Sequence, residues 1–297
     1  MMKKAIGILG FGYVAKAFAN KMLNEGYHIK ATTRSISAHN EQQGSNLELF
    51  DFTAQNLNLI FETCSNILIS TPPYREGVYR HKDPFLAEHQ DLLQAHHQNI
   101  RWIGYLSATS VYGDHSGAWV DEKTSPKSLK RHSTGHVRLM IENELLTYHQ
   151  KFNLPVHVFR LAGIYGPGRN AIERLLNGKD QTIYEPKQFF SRIHVTDIAN
   201  ALAASIHKPT PGHTFNVCDD EPAPSHEVDE YAARLLGIKP PERIALEKAN
   251  LSPMGQSFYE SNKRISNQKI KDSLSFQLVY PSYREGLDSI SKTICHQ

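Results

Sequence analysis

The sequence predicts an α/β fold, a doubly wound parallel sheet with a smaller mixed C-terminal domain. Short apolar runs alternate with helix-patterned segments over the first two thirds of the 297 residues, and the alternation breaks after a Gly/Pro cluster, YGPGRN at 165–170. Strands separated by helices imply βαβ units, and those imply parallel strands joined by right-handed crossovers.

Strand patterns fall in order at KAIGIL (4–9), HIKATT (28–33), LELFD (47–51), NILIS (66–70), RWIGYLS (101–107) and PVHVFRL (155–161). Apolar spacing of three and four predicts helices at VAKAFANKMLNEG (14–26), FLAEHQDLLQAHHQ (85–98) and STGHVRLMIENELL (133–146). Beyond 170 the pattern gives a helix at 171–177, a strand-like FFSRIHV (189–195) and the helix TDIANALAASIH (196–207). A strand TFNVC (214–218) and the helix HEVDEYAARLLG (226–237) follow. Residues 238–297, with prolines at 240–241, read as loosely built. The expected organisation is a first domain over 1–165, to which the chain returns around 189–220, and a smaller second domain over 166–297.

Composition narrows the partners. Forty per cent hydrophobic and 21% charged residues suit a globular chain, and 33 basic against 30 acidic residues is too even for a nucleic-acid partner. The 16 histidines are scattered without HExxH or a Cys-His cluster, so no metal is expected. Cys64, Cys218 and Cys295, odd in number and far apart, read as thiols of a reducing compartment. The opening MMKKAIGILGFG has an apolar part broken by glycines and no cleavage site, so it reads as a first strand rather than a signal peptide. No apolar run reaches membrane-spanning length. The expectation is a cytoplasmic protein with no membrane partner, and the histidine-rich 85–98 segment leaves room for a homodimer.

Between the first strand and the first helix stands Gly10-Phe11-Gly12-Tyr13-Val14-Ala15, a GxGxxA. Gly10 permits the tight turn, Gly12 lets backbone approach a pyrophosphate, and Ala15 allows close helix-on-sheet packing, while the helix start offers unpaired N–H groups to phosphates. This is the dinucleotide turn of a Rossmann-type sheet. At the end of the second strand a diol-binding site carries Asp or Glu; here Thr33-Arg34-Ser35 stand instead. An arginine flanked by hydroxyls favours a 2′-phosphate, so NADP is expected over NAD. Asp51, closing the third strand, fits either an acceptor for the adenine amino group or a helix N-cap. Ser70-Thr71-Pro72 closes the fourth strand, where such sheets present loops to the cofactor. Ser107 and Ala162, at the ends of the fifth and sixth strands, complete the cofactor set.

Further segments, Leu106-Ser107-Ala108-Thr109-Ser110-Val111-Tyr112-Gly113-Asp114, Arg160 to Gly168, Arg192 to Ala199, Phe215-Asn216-Val217 and Ser261-Asn262-Lys263-Arg264, follow in order along the chain. Together they resemble the short-chain dehydrogenase/reductase superfamily, in particular its extended branch of NAD(P)-dependent epimerases and dehydratases, and within it an atypical subgroup. The resemblance implies a cofactor domain with a small C-terminal substrate domain, and substrates that are often nucleotide sugars. It places Tyr165 and Arg169 at the substrate, where the arginine fork suits a phosphate or carboxylate; Arg169 equally suits a surface arginine after a turn.

The family's reaction uses a Ser or Thr four residues before the Tyr of VYG, and later a YxxxK. Its tyrosine serves as acid/base, and its lysine binds the nicotinamide ribose and lowers the phenol pKa. Those positions are here Ala108, Thr134 and Arg138. Threonine is a poor acid/base near neutrality, and arginine does not give up its proton. Arg138 remains able to bind ribose hydroxyls or an oxyanion; it also suits a surface charge, as Thr134 suits a first-turn residue. Ser107, Thr109 and Ser110 are alternative hydrogen-bond donors, and Tyr112 and Tyr165 alternative acids. The sequence thus describes an NADP-binding oxidoreductase or epimerase/dehydratase-like enzyme with a non-standard acid/base, acting on a small carbonyl, hydroxyl or nucleotide-sugar substrate. The alternative is a catalytically silent NADP-binding redox sensor or regulatory protein.

Overall fold

The computed structural model describes residues 4–36 and 44–295; residues 1–3 of the opening stretch lie outside the described residues. The chain runs β1 (Ala5–Leu9), α1 (Tyr13–Asn24), β2 (His28–Thr32), β3 (Leu47–Phe50), α2 (Ala54–Thr63) and β4 (Asn66–Ile69). Two short helices, α3 (Pro84–His89) and α4 (Asp91–Ala95), precede β5 (Trp102–Ala108). After β6 (Trp119–Val120) come α5 (Thr134–Phe152), β7 (Val156–Leu161), β8 (Gly163–Tyr165), α6 (Ala171–Leu176), β9 (Gln181–Ile183) and β10 (Arg192–His194). The remainder is α7 (Val195–His207), β11 (Thr214–Val217), α8 (Ser225–Leu235), β12 (Glu242–Ile244), α9 (Pro253–Tyr259), β13 (Arg264–Ile265), α10 (Gln268–Leu274) and α11 (Tyr283–Cys295).

The main sheet has seven strands in the order β11-β7-β5-β4-β1-β2-β3. β1 pairs in parallel with both β2 and β4, β2 with β3, and β4 with β5. The order reverses beside β1: the chain steps out to β2 and β3, then resumes on the other side at β4. Such a reversal leaves a crevice at the carboxyl ends of the strands, where ligands bind in sheets of this kind. The inner strands are apolar nearly throughout, as burial on both faces demands. Leu9, Phe61, Ile69, Phe85, Tyr105, Ile141 and Val158 belong to one buried cluster. Gly7 lets α2 pack close to β1, since a Cβ there would fall 2.4 Å from Ile60 Cγ2.

The chain forms two compact units, neither continuous in sequence: 1–111, 130–160 and 198–215 in the first, and 112–129, 161–197 and 216–297 in the second. The sequence reading places one boundary near 165 and a return around 189–220; the observed units change hands as early as 111/112, and the return is 198–215. Backbone pairing explains the early change. β6 pairs with β13, Trp119 opposite Arg264, and the Asn262 carbonyl accepts the amides of His115 and Gly117. The segment 112–129 is therefore tied to residues of the C-terminal part. Besides β6–β13, β10–β8 and β12–β9 form two-stranded parallel ladders in the second unit.

Two expectations need correction. The single helix at 85–98 is two, α3 and α4, meeting at Gln90, whose side chain accepts the Tyr148 hydroxyl. The tail is not loosely built: α11 buries Tyr283, Leu287 and Ile290 in a core shared with Ile172, Leu175, Val228 and Ala232. Cys64 and Cys218 are buried free thiols; the Cys295 side chain lies outside what is described. Among the described residues no helix is long and apolar enough to cross a membrane.

Candidate functional site

The glycine turn leaves β1 at the crevice edge of the first unit. It is pinned to β2: the Gly10 amide donates to Thr32 Oγ1 (3.0 Å) and the Phe11 amide to the Thr32 carbonyl (2.8 Å). Gly10 holds φ +97°, and a Cβ there would lie 3.1 Å from the Thr71 amide nitrogen, so this glycine is required by the fold. Gly12 differs. Its φ of −89° suits any residue, and a Cβ there would meet nothing within 4 Å among the described residues. As N-cap of α1 it supplies no side-chain hydrogen bond, and the first turn, from Tyr13 and Val14 onward, has no acidic residue. The start of α1 thus offers donors and a partial positive charge to open space, the arrangement that receives a phosphate.

Around that turn the other predicted cofactor residues fall at the strand ends. Arg34 and Ser35, just past β2, are exposed, with the Ser35 amide bonded to Thr33 Oγ1. Asp51 is exposed after β3. It is not the cap of α2: Thr53 is, accepting from the Asn56 amide, while Asp51 contributes only its carbonyl to Thr53 and Asn56. Ser70 donates its amide to Leu9, and Pro72 is exposed. The Thr71 hydroxyl is committed to Asp83 Oδ2 at 3.0 Å. Asp83, 1% exposed, caps α3 by accepting the amides of Phe85 and Leu86. Burial pushes its carboxyl up to about 6, against the lowering effect of those hydrogen bonds and of the Arg138 charge.

Near the end of β5, Ser107 is buried. Its hydroxyl donates to Glu142, whose carboxylate also takes Arg160 Nε and Nη2 in a buried ion pair (Nη2 to Oε2, 2.7 Å). Thr134 is the exposed first residue of α5, behind the Ser133 cap. Arg138, one turn on, is no surface charge: Nη1 donates to the Tyr105 hydroxyl and the Leu106 carbonyl, and the guanidinium lies over the Tyr105 ring. Arg138 Nε and Ser110 Oγ are both shielded from solvent, with no hydrogen-bond partner among the described residues. Unfilled polar atoms of this kind carry a penalty that a bound acceptor or donor removes, and they suit the hydroxyls of a bound nucleoside. Thr109, beside Ser110 in the turn after β5, is half-buried.

In the second unit the proposed acids are engaged elsewhere. Tyr112 is fully buried, and its hydroxyl donates to Asn216 Oδ1 at 2.7 Å. Tyr165 packs in the core against Gly286, its hydroxyl donates to the Ser282 carbonyl, and burial drives its pKa up. Arg169 is different, an exposed guanidinium at the end of a turn closed by paired backbone bonds with Gly166. Ala162 is buried, its amide bonded to Val217. The Asp197 carboxylate accepts the amides of Val279 and Tyr280. His194 Nδ1 accepts the Thr196 amide, and burial pulls its pKa down to about 4, so it stays neutral.

Sequence reasoning missed Asp83, Glu142 and Lys263. Asp83 had a local signal, an N-cap residue followed by Pro at the first helical position. Lys263 Nζ donates to Ser261 Oγ, and burial pulls its ammonium down to about 8 against the opposing charge of Asp114.

Residues 86–218 match the profile of the NAD dependent epimerase/dehydratase family. A functionally unknown conserved protein from Silicibacter pomeroyi DSS, whose structure is solved, is 41% identical, covering 98% of this chain and 99% of that one at a TM-score of 0.89. Escherichia coli protein YeeZ is 26% identical over 295 residues, 94% of this chain and 97% of that protein. UDP-glucuronic acid 4-epimerase from Bacillus cereus, solved in complex with NAD, shares the fold at 17% identity and a TM-score of 0.76, over 98% of this chain and 99% of its own.

Proposed function

As this chain belongs to the NAD dependent epimerase/dehydratase family, we propose that it is a nicotinamide-dependent oxidoreductase or epimerase/dehydratase-type enzyme. Its substrate is a hydroxyl or carbonyl compound, small or linked to a nucleotide, and its preferred cofactor is NADP. The observation that carries this reading is the open space beyond Gly12 at the uncapped start of α1.

In this reading the amides following Gly12 hold the pyrophosphate, and Asp51 accepts from the adenine amino group. Arg34, with Ser35, holds the 2′-phosphate. The bound nicotinamide supplies hydride transfer. Arg138, fixed by Tyr105 and Leu106, donates Nε to a ribose hydroxyl or to a developing oxyanion. Ser110, Thr109 and Thr134 hold the reacting oxygen.

Fluorescence titration with NADPH and NADH tests the cofactor. A charge-assisted hydrogen bond contributes about 1.5–3 kcal/mol. Because Arg34 is exposed, screening favours the low end, so a preference for NADPH of roughly tenfold is expected, erased by Arg34→Ala. Equal affinities in the parent protein refute the preference. A panel of nucleotide sugars and small carbonyls, read by nicotinamide absorbance, tests the reaction.

A second reading, a catalytically silent NADP-binding sensor, is favoured by the engaged hydroxyls of Tyr112 and Tyr165 and the threonine at 134. Cofactor binding without turnover across the panel supports it; turnover abolished by Arg138→Gln removes it.

A further inference from the structure

Two basic segments of the first unit meet beyond the crevice edge of the sheet. The loop after β4 carries Arg75, Arg80, His81 and Lys82, and the approach to α5 carries Lys130, Arg131 and His132, with His136 in the helix's first turn. The rings of His81 and His132 stack at 4.6 Å between centroids, 16° from parallel, and His136 meets His132 edge-on at 6.2 Å. Both His81 (φ 68°) and His132 (φ 62°) hold the left-handed backbone region, at a cost of about 1–2 kcal/mol each. Side chains other than glycine persist there where surrounding structure fixes them, often at ligand sites. His136 Nδ1 is shielded from solvent and has no hydrogen-bond partner among the described residues.

Little on this patch balances its charge. Asp83 is buried beneath it and taken up by Thr71 and the start of α3, and Glu88 by the Tyr74 hydroxyl. Glu144 acts on Lys82, which also lies over the Tyr79 ring. Glu76 is exposed on the loop itself. Arg80 and Arg131 are exposed and form no ion pair among the described residues. Among the described residues no group of three or more His, Cys, Asp or Glu is placed to hold a metal ion.

We infer that His81, His132 and His136, with Arg80 and Arg131, form a binding subsite for a small-molecule anion, a phosphate or carboxylate group. The inference rests on the enzyme reading only in assigning that anion to the substrate, which makes an acidic or phosphorylated compound the substrate class. Without a ligand, stacked imidazoles disfavour shared positive charge, and partial burial with Arg80, His132 and His136 lowers the His81 pKa. An anion reverses the balance at His81, whose ring takes up a proton from solvent and becomes a charged donor. The bound-state pKa of His81 then exceeds its free-state value, so affinity is greatest at low pH and falls as pH rises through the bound pKa.

Inorganic sulfate is the probe, because it keeps its double charge across the range. Imidazole NMR signals of the full chain, titrated with sulfate at pH 6 and pH 8, should move for His81, His132 and His136, with affinity at least about tenfold higher at pH 6. Arg131→Gln with His132→Gln should lower sulfate affinity by about tenfold and leave the NADPH titration unchanged. Absent shifts, or shifts that persist in the double variant, overturn the subsite. Sulfate binding without NADPH binding upholds the subsite and overturns the enzyme reading instead.

Discussion

Gly12 and Gly10 sit two residues apart in one turn, yet a methyl group added to each should do opposite things. At Gly12 the methyl enters open space from an unstrained backbone. The fold loses only the modest preference of glycine over alanine at a helix N-cap, about 1 kcal/mol, or roughly 2–4 °C in melting temperature. A phosphate is excluded from the same space. Losing one or two amide bonds to a charged group costs about 1.5–3 kcal/mol each, so Gly12→Ala should weaken NADPH binding by roughly 10- to 100-fold or more. At Gly10 the methyl meets the Thr71 amide nitrogen at 3.1 Å with φ +97°. That substitution should cost at least about 1–2 kcal/mol in backbone strain alone, with steric shift added, and lower the melting temperature further. Thermal melting and fluorescence titration of both variants provide the assay. A Gly12→Ala protein that binds NADPH like the parent would refute the argument that this space is a phosphate cradle.

Other variants probe the supporting network. Glu142→Ala leaves the Arg160 guanidinium buried without its partner and should cost about 3–5 kcal/mol in urea unfolding; Glu142→Leu combined with Arg160→Met should recover most of it, and no recovery would mean that the pair does more than neutralise itself. Asp83 has a folded pKa of about 6, above its ordinary 3.8, so the folded state holds the proton more tightly and this contribution to stability falls as pH rises from about 4 through 6, by up to about 3 kcal/mol. Asp83→Asn keeps an N-cap acceptor, so the stability difference between variant and parent should shift in the variant's favour between pH 4.5 and 7.5; a difference flat with pH would contradict the burial argument.

The parallel sheet was legible because apolar periodicity is local, and each strand of KAIGIL, HIKATT, LELFD and NILIS announces itself within six residues. Gly10 and Gly12 were legible for the same reason, although only the structure separates the glycine that the turn requires from the one a ligand would use. The fates of the tyrosines were not legible. The acceptor for the Tyr112 hydroxyl is Asn216 and that for Tyr165 is Ser282, more than one hundred residues along the chain. Ser107 likewise looks available until Glu142, on the next long helix, accepts its hydrogen bond. The tail is a different case. Tyr283, Leu287 and Ile290 have helical spacing, and the prolines before them conceal a helix whose partners, α6 and α8, are distant in sequence.

The interleaving of the two units has a consequence for how this protein is made. β6 pairs with β13, so Trp119 waits for Arg264, 145 positions later, before its ladder can close. A ribosome will have released most of the polypeptide before the second unit possesses all its parts, while β1 to β5 can assemble much sooner. High contact order of this kind slows folding and prolongs the exposure of apolar surface. Truncation after 165 or expression of 166–297 alone should therefore yield aggregating fragments rather than two separable domains, and full-length synthesis is the condition for either half to be complete.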